Sequence, residues 1–204
     1  MTKGSRAIVS CVAGLICLLS IGVQGQITSQ RLVNASTEPQ NWLTYSGSYW
    51  SQRYSLLDQI TPANVRNLKL QWVYQAPVAG NWQTTPIVAD GVMYITQRPN
   101  DVVALDPLTG RVFWIYRYNP NPDRIVCCGA NNRGVAILGD TLFMGTLDAH
   151  VVAIDAKTGR EVWKTEVANT TSGYSITLAP LVVKDKVIIG VGGGEYGIRG
   201  FVAA

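Results

Sequence analysis

Charge is scarce in this 204-residue chain, which has 17 Lys and Arg against 13 Asp and Glu, only 15% charged residues in all, and a net charge of +4. Its basic residues are scattered and form no patch, so nothing in the composition argues for a nucleic-acid partner. Histidine is nearly absent: His150 is the single one, and at a predicted strand start it reads as incidental. Helix signals are also almost missing. The one exception is Thr61-Pro62 ahead of "ANVRNL", which reads as an N-cap followed by proline at the first helical position. Cysteine is limited to four residues. What the chain does have is 47% hydrophobic residues, at a length sufficient for a real core.

Two of the four cysteines fall in a leader. Met1–Gly25 opens with Lys3 and Arg6, continues through the 17-residue apolar run 7–23, and ends on small residues suited to a cut after Gly25. This is the pattern of a secretory signal. A membrane anchor competes with it, since the run is near the lower length limit for a span, but polar chain follows directly. Cleavage would leave residues 26–204 close to neutral and remove Cys11 and Cys17. Cys11 comes too early in the apolar run to suit lipid attachment.

The remaining cysteines, Cys127 and Cys128, are adjacent within "RIVCCGANNRG" (124–134). In an oxidising compartment a free pair is unexpected. Neighbouring Cα atoms are about 3.8 Å apart across a trans peptide, below the usual disulfide range of about 4.4–6.8 Å. A bridge between them closes almost no loop and so stabilises little. A flat sulfur surface in a pocket is the better use for such a pair; two reduced cysteines are the plain alternative.

The chain also repeats itself. "VVALDPLTGRVFWIY" (102–116) matches "VVAIDAKTGREVWKT" (151–165), and each is preceded by a turn and an apolar strand, "ADGVMYIT" (89–96) and "LGDTLFMG" (138–145). A third copy starts at "VKDKVIIGV" (183–191), and "LKLQWVY" (68–74) fits the last strand of an earlier unit. Repeats of about 40–50 residues holding several short strands predict propeller blades. "DPLTG" and "DAKTG" predict turns with Gly110 and Gly159 at positive φ. Trp114 and Trp163 follow at the same spacing and are expected to pack between blades. The fold predicted is thus all-β, a partial β-propeller of about three blades. Aligning the third repeat on the second puts Ala204 one residue short of its turn aspartate, which predicts the N-terminal part of a longer protein.

From about Asn41 onward the chain resembles the pyrroloquinoline quinone (PQQ)-dependent alcohol dehydrogenases, periplasmic quinoproteins built as eight-bladed propellers. The resemblance rests on "CCGANNRG", "DAKTGREVW" and "LAPLVVKDKVIIGVGGGEYGIRGF". It implies a vicinal disulfide of Cys127 and Cys128 as a platform for the quinone, with Arg133 pairing a PQQ carboxylate. It further implies that Thr177 hydrogen-bonds the cofactor, Gly192, Gly193 and Gly194 offer backbone contacts, and Glu195 ligates Ca²⁺ or a lanthanide. Many relatives have an acidic residue where this chain has Gln83, a departure that removes one charge beside the cofactor. The implied chemistry is oxidation of a small alcohol with electrons passed to a cytochrome c-type acceptor. No catalytic residue is assigned here, because the family's catalytic aspartate lies in later blades; Asp148, Asp155 and Asp185 sit in turns and are poor substitutes. On this reading the chain is a periplasmic cofactor-binding portion, inactive alone, that needs further blades to close its ring. The competing reading is a non-catalytic propeller scaffold of the cell envelope, which would share the tryptophan turns but would have no need of the cysteine pair.

Overall fold

A computed structural model describes residues 26–204; the expected leader, Met1–Gly25, lies outside the described residues. After a five-residue helix α1 (Ser29–Val33), capped by the Thr28 side chain, the chain is built from three antiparallel sheets. The first runs β1 (Ile87–Ala89), β2 (Val92–Gln97), β3 (Asp101–Leu105) and β4 (Val112–Tyr116), and the second runs β5 (Ala136–Leu138), β6 (Thr141–Gly145), β7 (His150–Asp155) and β8 (Glu161–Glu166). In the third, β10 (Lys186–Gly190) pairs with both β9 (Leu181–Val183) and β11 (Val202–Ala203). Strand order equals chain order in both four-stranded sheets, the up-and-down arrangement of propeller blades.

Each four-stranded blade buries both faces of its middle strands. Tyr94, Ala104 and Trp114 share one face of the first sheet by register, and Ile95, Val103 and Ile115 share the other. The first face joins the main core with Ile137, Leu142, Val152 and Ile154 of the second sheet. The second covers Tyr74 from the segment before the blade. Burial then falls off across the second sheet, from a largely buried β5 to a β8 that is exposed throughout. The repeat extends to the irregularities: a register shift at Ala104/Leu105 recurs at Ala153/Ile154, where the strand turns into its tryptophan loop.

Those loops interlock the blades. Asp106 accepts from the Leu108 amide and the Thr109 hydroxyl, and Asp155 does the same for Lys157 and Thr158. Gly110 and Gly159 have φ of 72° and 71°. They are glycine for a second reason, because a Cβ on either would lie 2.6 Å from a tryptophan ring, Trp72 and Trp114 respectively. Each indole N–H then donates to a carbonyl of the turn it covers, Trp72 to Pro107 at 3.1 Å and Trp114 to Ala156 at 3.2 Å. Trp163 packs on Phe143 but is 42% exposed, and its indole N–H has no hydrogen-bond partner among the described residues.

Two local expectations differ from the structure. Residues 68–74 form no strand, and the Thr61-Pro62 signal yields only a three-residue 3₁₀ turn, Val65–Asn67. There the cap runs the other way, with the Asn64 side chain accepting from the Thr61 amide at 2.7 Å. Leu68, Leu70 and Val73 are 63–81% exposed. Without a neighbouring strand or an apolar surface to cover, neither propensity nor pattern holds a segment in regular structure.

Candidate functional site

In every blade the first strand begins, and the second strand ends, at the same end of the sheet, since the two are antiparallel. The residues singled out in the sequence sit at this end. Gln83, Arg133 and Thr177 lie in the segments leading to β1, β5 and β9, whereas Gly192–Glu195 follow β10 and Cys127–Cys128 lie between β4 and β5. The three leading segments are laced together through their backbones. The Thr85 amide donates to the Arg133 carbonyl at 3.0 Å, and the Arg133 amide donates to the Thr177 carbonyl at 3.1 Å.

Arg133 and Thr177 also meet through their side chains. Nη1 of the guanidinium donates to Thr177 Oγ1 at 2.8 Å and, less well, to its carbonyl at 3.3 Å. Arg133 has no carboxylate partner among the described residues, so a fork of donors stays available to an anion.

The two cysteines lie on an exposed tight turn. The Gly129 amide donates to the Cys127 carbonyl and Asn131 Nδ2 donates to the Cys128 carbonyl at 2.7 Å. Cys128 takes a φ of 40°, in the left-handed region, which costs a side-chain-bearing residue roughly 1–2 kcal/mol. Both thiols are free in this structure, unlike the bridged pair that the resemblance implies. The Cys128 thiol, and after it the Glu195 carboxylate, pushes Cys127 up to about 12, because a thiol that donates to a neighbour gives up its proton less readily. The same hydrogen bond from Cys127 holds Glu195 below its ordinary range. The Cys127 thiol and the Glu195 carboxylate, some seventy positions apart in sequence, thus lie near enough to shift each other's ionisation.

Glu195 sits in the short 3₁₀ turn Gly194–Tyr196. Its approach is fixed by a two-way backbone bridge between Ser175 and Gly192, at 3.2 and 2.8 Å. Gly193 must be glycine: its φ is 123° and a Cβ would stand 2.0 Å from the Gly173 carbonyl oxygen. Gly194 has open space where its Cβ would be, so a flat ligand can approach its backbone closely.

Some residues that hold the site carry no recognisable pattern. Asn132 donates to the Gly145 carbonyl at 2.8 Å and accepts from the Gly134 amide at 2.9 Å, while fully buried Asn100 reaches Gly145 from one side and the Leu147 amide from the other. Asp148 is buried and accepts from Tyr118, Thr146 and the Asn121 amide. Burial opposes its ionisation, but these bonds together outweigh it and lower its pKa. Tyr118 and Asn121 belong to the β4–β5 connection, so Asp148 anchors the segment that carries the cysteines.

The site therefore presents soft sulfur atoms, an exposed carboxylate, an unpaired guanidinium, a threonine hydroxyl and a glycine backbone at one rim. This set suits a flat, carboxylated ligand with a hard cation beside it. Among the described residues no three His, Cys, Asp or Glu gather into a metal cluster.

Comparison with known proteins gives this rim its context. The family model for the PQQ-type "glucose/ethanol/alcohol dehydrogenase, beta-propeller domain" matches residues 42–195. The quinohemoprotein alcohol dehydrogenase ADH IIB of Pseudomonas putida is 40% identical over 199 residues, covering 95% of this chain and 28% of the relative. A lanthanide-dependent methanol dehydrogenase of Methylacidiphilum fumariolicum is 39% identical over 197 residues, or 92% of this chain and 32% of that protein. Among solved structures, the quinohemoprotein alcohol dehydrogenase ADHIIG of P. putida superposes with a TM-score of 0.82 at 43% identity, covering 87% of this chain and 26% of that one. A europium-containing methanol dehydrogenase gives 0.81 at 40% identity, with 85% and 31% covered. The chain thus spans about a quarter to a third of the length of these relatives. The match over most of its length, on a fold of the same kind, establishes that the chain belongs to the PQQ β-propeller family of glucose, ethanol and alcohol dehydrogenases.

Proposed function

We propose that this chain is the cofactor-cradling part of a periplasmic PQQ- and Ca²⁺- or lanthanide-dependent alcohol dehydrogenase, and that the 204-residue polypeptide binds its cofactor without turning over. The gathering of these groups at one rim carries the reading: Arg133 and Thr177 are joined directly, and Cys127 and Glu195 lie near enough to shift each other's ionisation. When bound, the quinone with its metal supplies the two-electron acceptor for an alcohol, with electrons passing on to a cytochrome c-type partner.

The chain's own residues would bind and orient. Cys127 and Cys128, bridged in an oxidising compartment, would offer one face of the plane a flat apolar floor. Arg133, its Nη1 already held by Thr177, would direct its remaining donors at a carboxylate, and a charge-assisted bond of this kind contributes about 1.5–3 kcal/mol. Gly192–Gly194 would admit the ligand edge against backbone amides, and Glu195 would give a hard cation one carboxylate. Gln83, exposed at the same rim, would hydrogen-bond without adding negative charge.

Equilibrium dialysis of the chain against PQQ and Ca²⁺, together with a dye-reduction assay on a primary alcohol, tests this. Saturable binding that Arg133→Ala weakens by about tenfold or more, with no dye reduction, is the expected outcome. No binding, or PQQ-dependent turnover by the chain alone, would overturn it.

A further inference from the structure

Arg98 follows β2 at the same end of the first blade, in a sequence stretch, "TQRPN", that matches no recognised site motif. Its guanidinium is wedged between two loops. On one side Nη1 reaches the Ala79 carbonyl at 3.4 Å, and a Cβ on Gly80 would fall 1.5 Å from that nitrogen. On the other side Nη2 is 3.7 Å from where a Cβ on Gly129 would be, the residue directly after the cysteine pair. Arg98 lines a small recess together with Trp82, Gln83, Thr96 and Asn132. Its Nε is enclosed with no hydrogen-bond partner, and no carboxylate pairs with the side chain among the described residues.

An enclosed cationic donor left unpaired is costly, and here the neighbour that might have been acidic is Gln83. At this rim Arg98 and Arg133 both lack an acidic partner among the described residues, and Glu195 is an exposed carboxylate. We propose that Arg98 is a second anion-binding residue of this site, recognising a carboxylate of the quinone from the cysteine-loop side while Arg133 takes another from the Thr177 side. This rests on the quinone-binding reading above. The placement fits because PQQ is a planar tricarboxylate, so one arginine cannot answer all its charge. It also gives the glycine at 80 a reason, since a side chain there would displace the guanidinium.

The test compares binding of PQQ with that of its trimethyl ester, which keeps the plane and loses the charges, by tryptophan quenching of the full chain. Arg98→Gln is expected to cut the preference for acid over ester by about tenfold and to leave ester affinity unchanged. Arg98→Met serves as a second variant should the first fold poorly. Arg133→Gln, expected to lower the same preference, checks that the assay reports carboxylate recognition. If Arg133→Gln lowers the preference and folded Arg98 variants leave it intact, or weaken acid and ester equally, the proposal fails while the site assignment stands. If the wild-type chain binds PQQ no better than its ester, or not at all, the site assignment fails and takes the proposal with it.

Discussion

At the scale of the residue, Cys127 and Glu195 define the site because each is altered by the other. The carboxylate favours the protonated thiol, so removing its charge should release the proton more readily. In a reduced chain bearing Cys128→Ser, which isolates this contact, Glu195→Gln should therefore lower the Cys127 pKa and speed its alkylation by iodoacetamide at pH 8 by about two- to tenfold. Peptide mapping of the modified sulfur measures the rate. An unchanged rate would mean that Glu195 does not face the thiol. Arg133, Thr177 and the cysteine pair were legible in the sequence as candidates that the family resemblance implies, and the structure joins the first two by a hydrogen bond. Asn100, Asn132 and Asp148 were not, since their importance lies in partners up to 47 positions away and an asparagine in a turn looks the same with or without them. Arg98 was illegible for the same reason: its meaning comes from Gly80 and Gly129, on two other loops.

At the scale of the element, the tryptophan turn acts as a latch between blades. Trp114 makes both halves of the contact, ring on Gly159 and indole N–H to the Ala156 carbonyl, whereas Trp163 retains Phe143 but covers no turn among the described residues. Trp114→Ala should cost this chain about 3–5 kcal/mol, the range for removing a large packed aromatic. Trp163→Ala, at a half-exposed position, should cost no more than about 1–2 kcal/mol. Urea unfolding of the two variants measures the difference, and equal losses would contradict a latch that needs its turn. The repeat pattern announced this element well, with the turns and the positive-φ glycines as read. It could not announce that 68–74 would lack a strand, because strand propensity says nothing about whether a neighbour is present to pair with.

At the scale of the whole molecule, the two ends of the blades divide the work. The tryptophan turns that hold blade to blade lie at one end; the segments leading to β1, β5 and β9, laced by the Thr85–Arg133–Thr177 backbone bonds, lie at the other with the sulfurs and Glu195. The candidate site thus lies at the end where the leading segments of successive repeats are joined by backbone hydrogen bonds, apart from the latch. The account depends on these groups sharing one ligand. Amide chemical shifts of the chain, recorded by NMR as PQQ is added in the presence of Ca²⁺, test this most directly. The account predicts that the largest changes fall together on Cys127, Cys128, Arg133, Thr177 and Gly192–Glu195 at a common apparent affinity. Changes confined to one of these segments, or centred on the tryptophan turns at the opposite end, would contradict it.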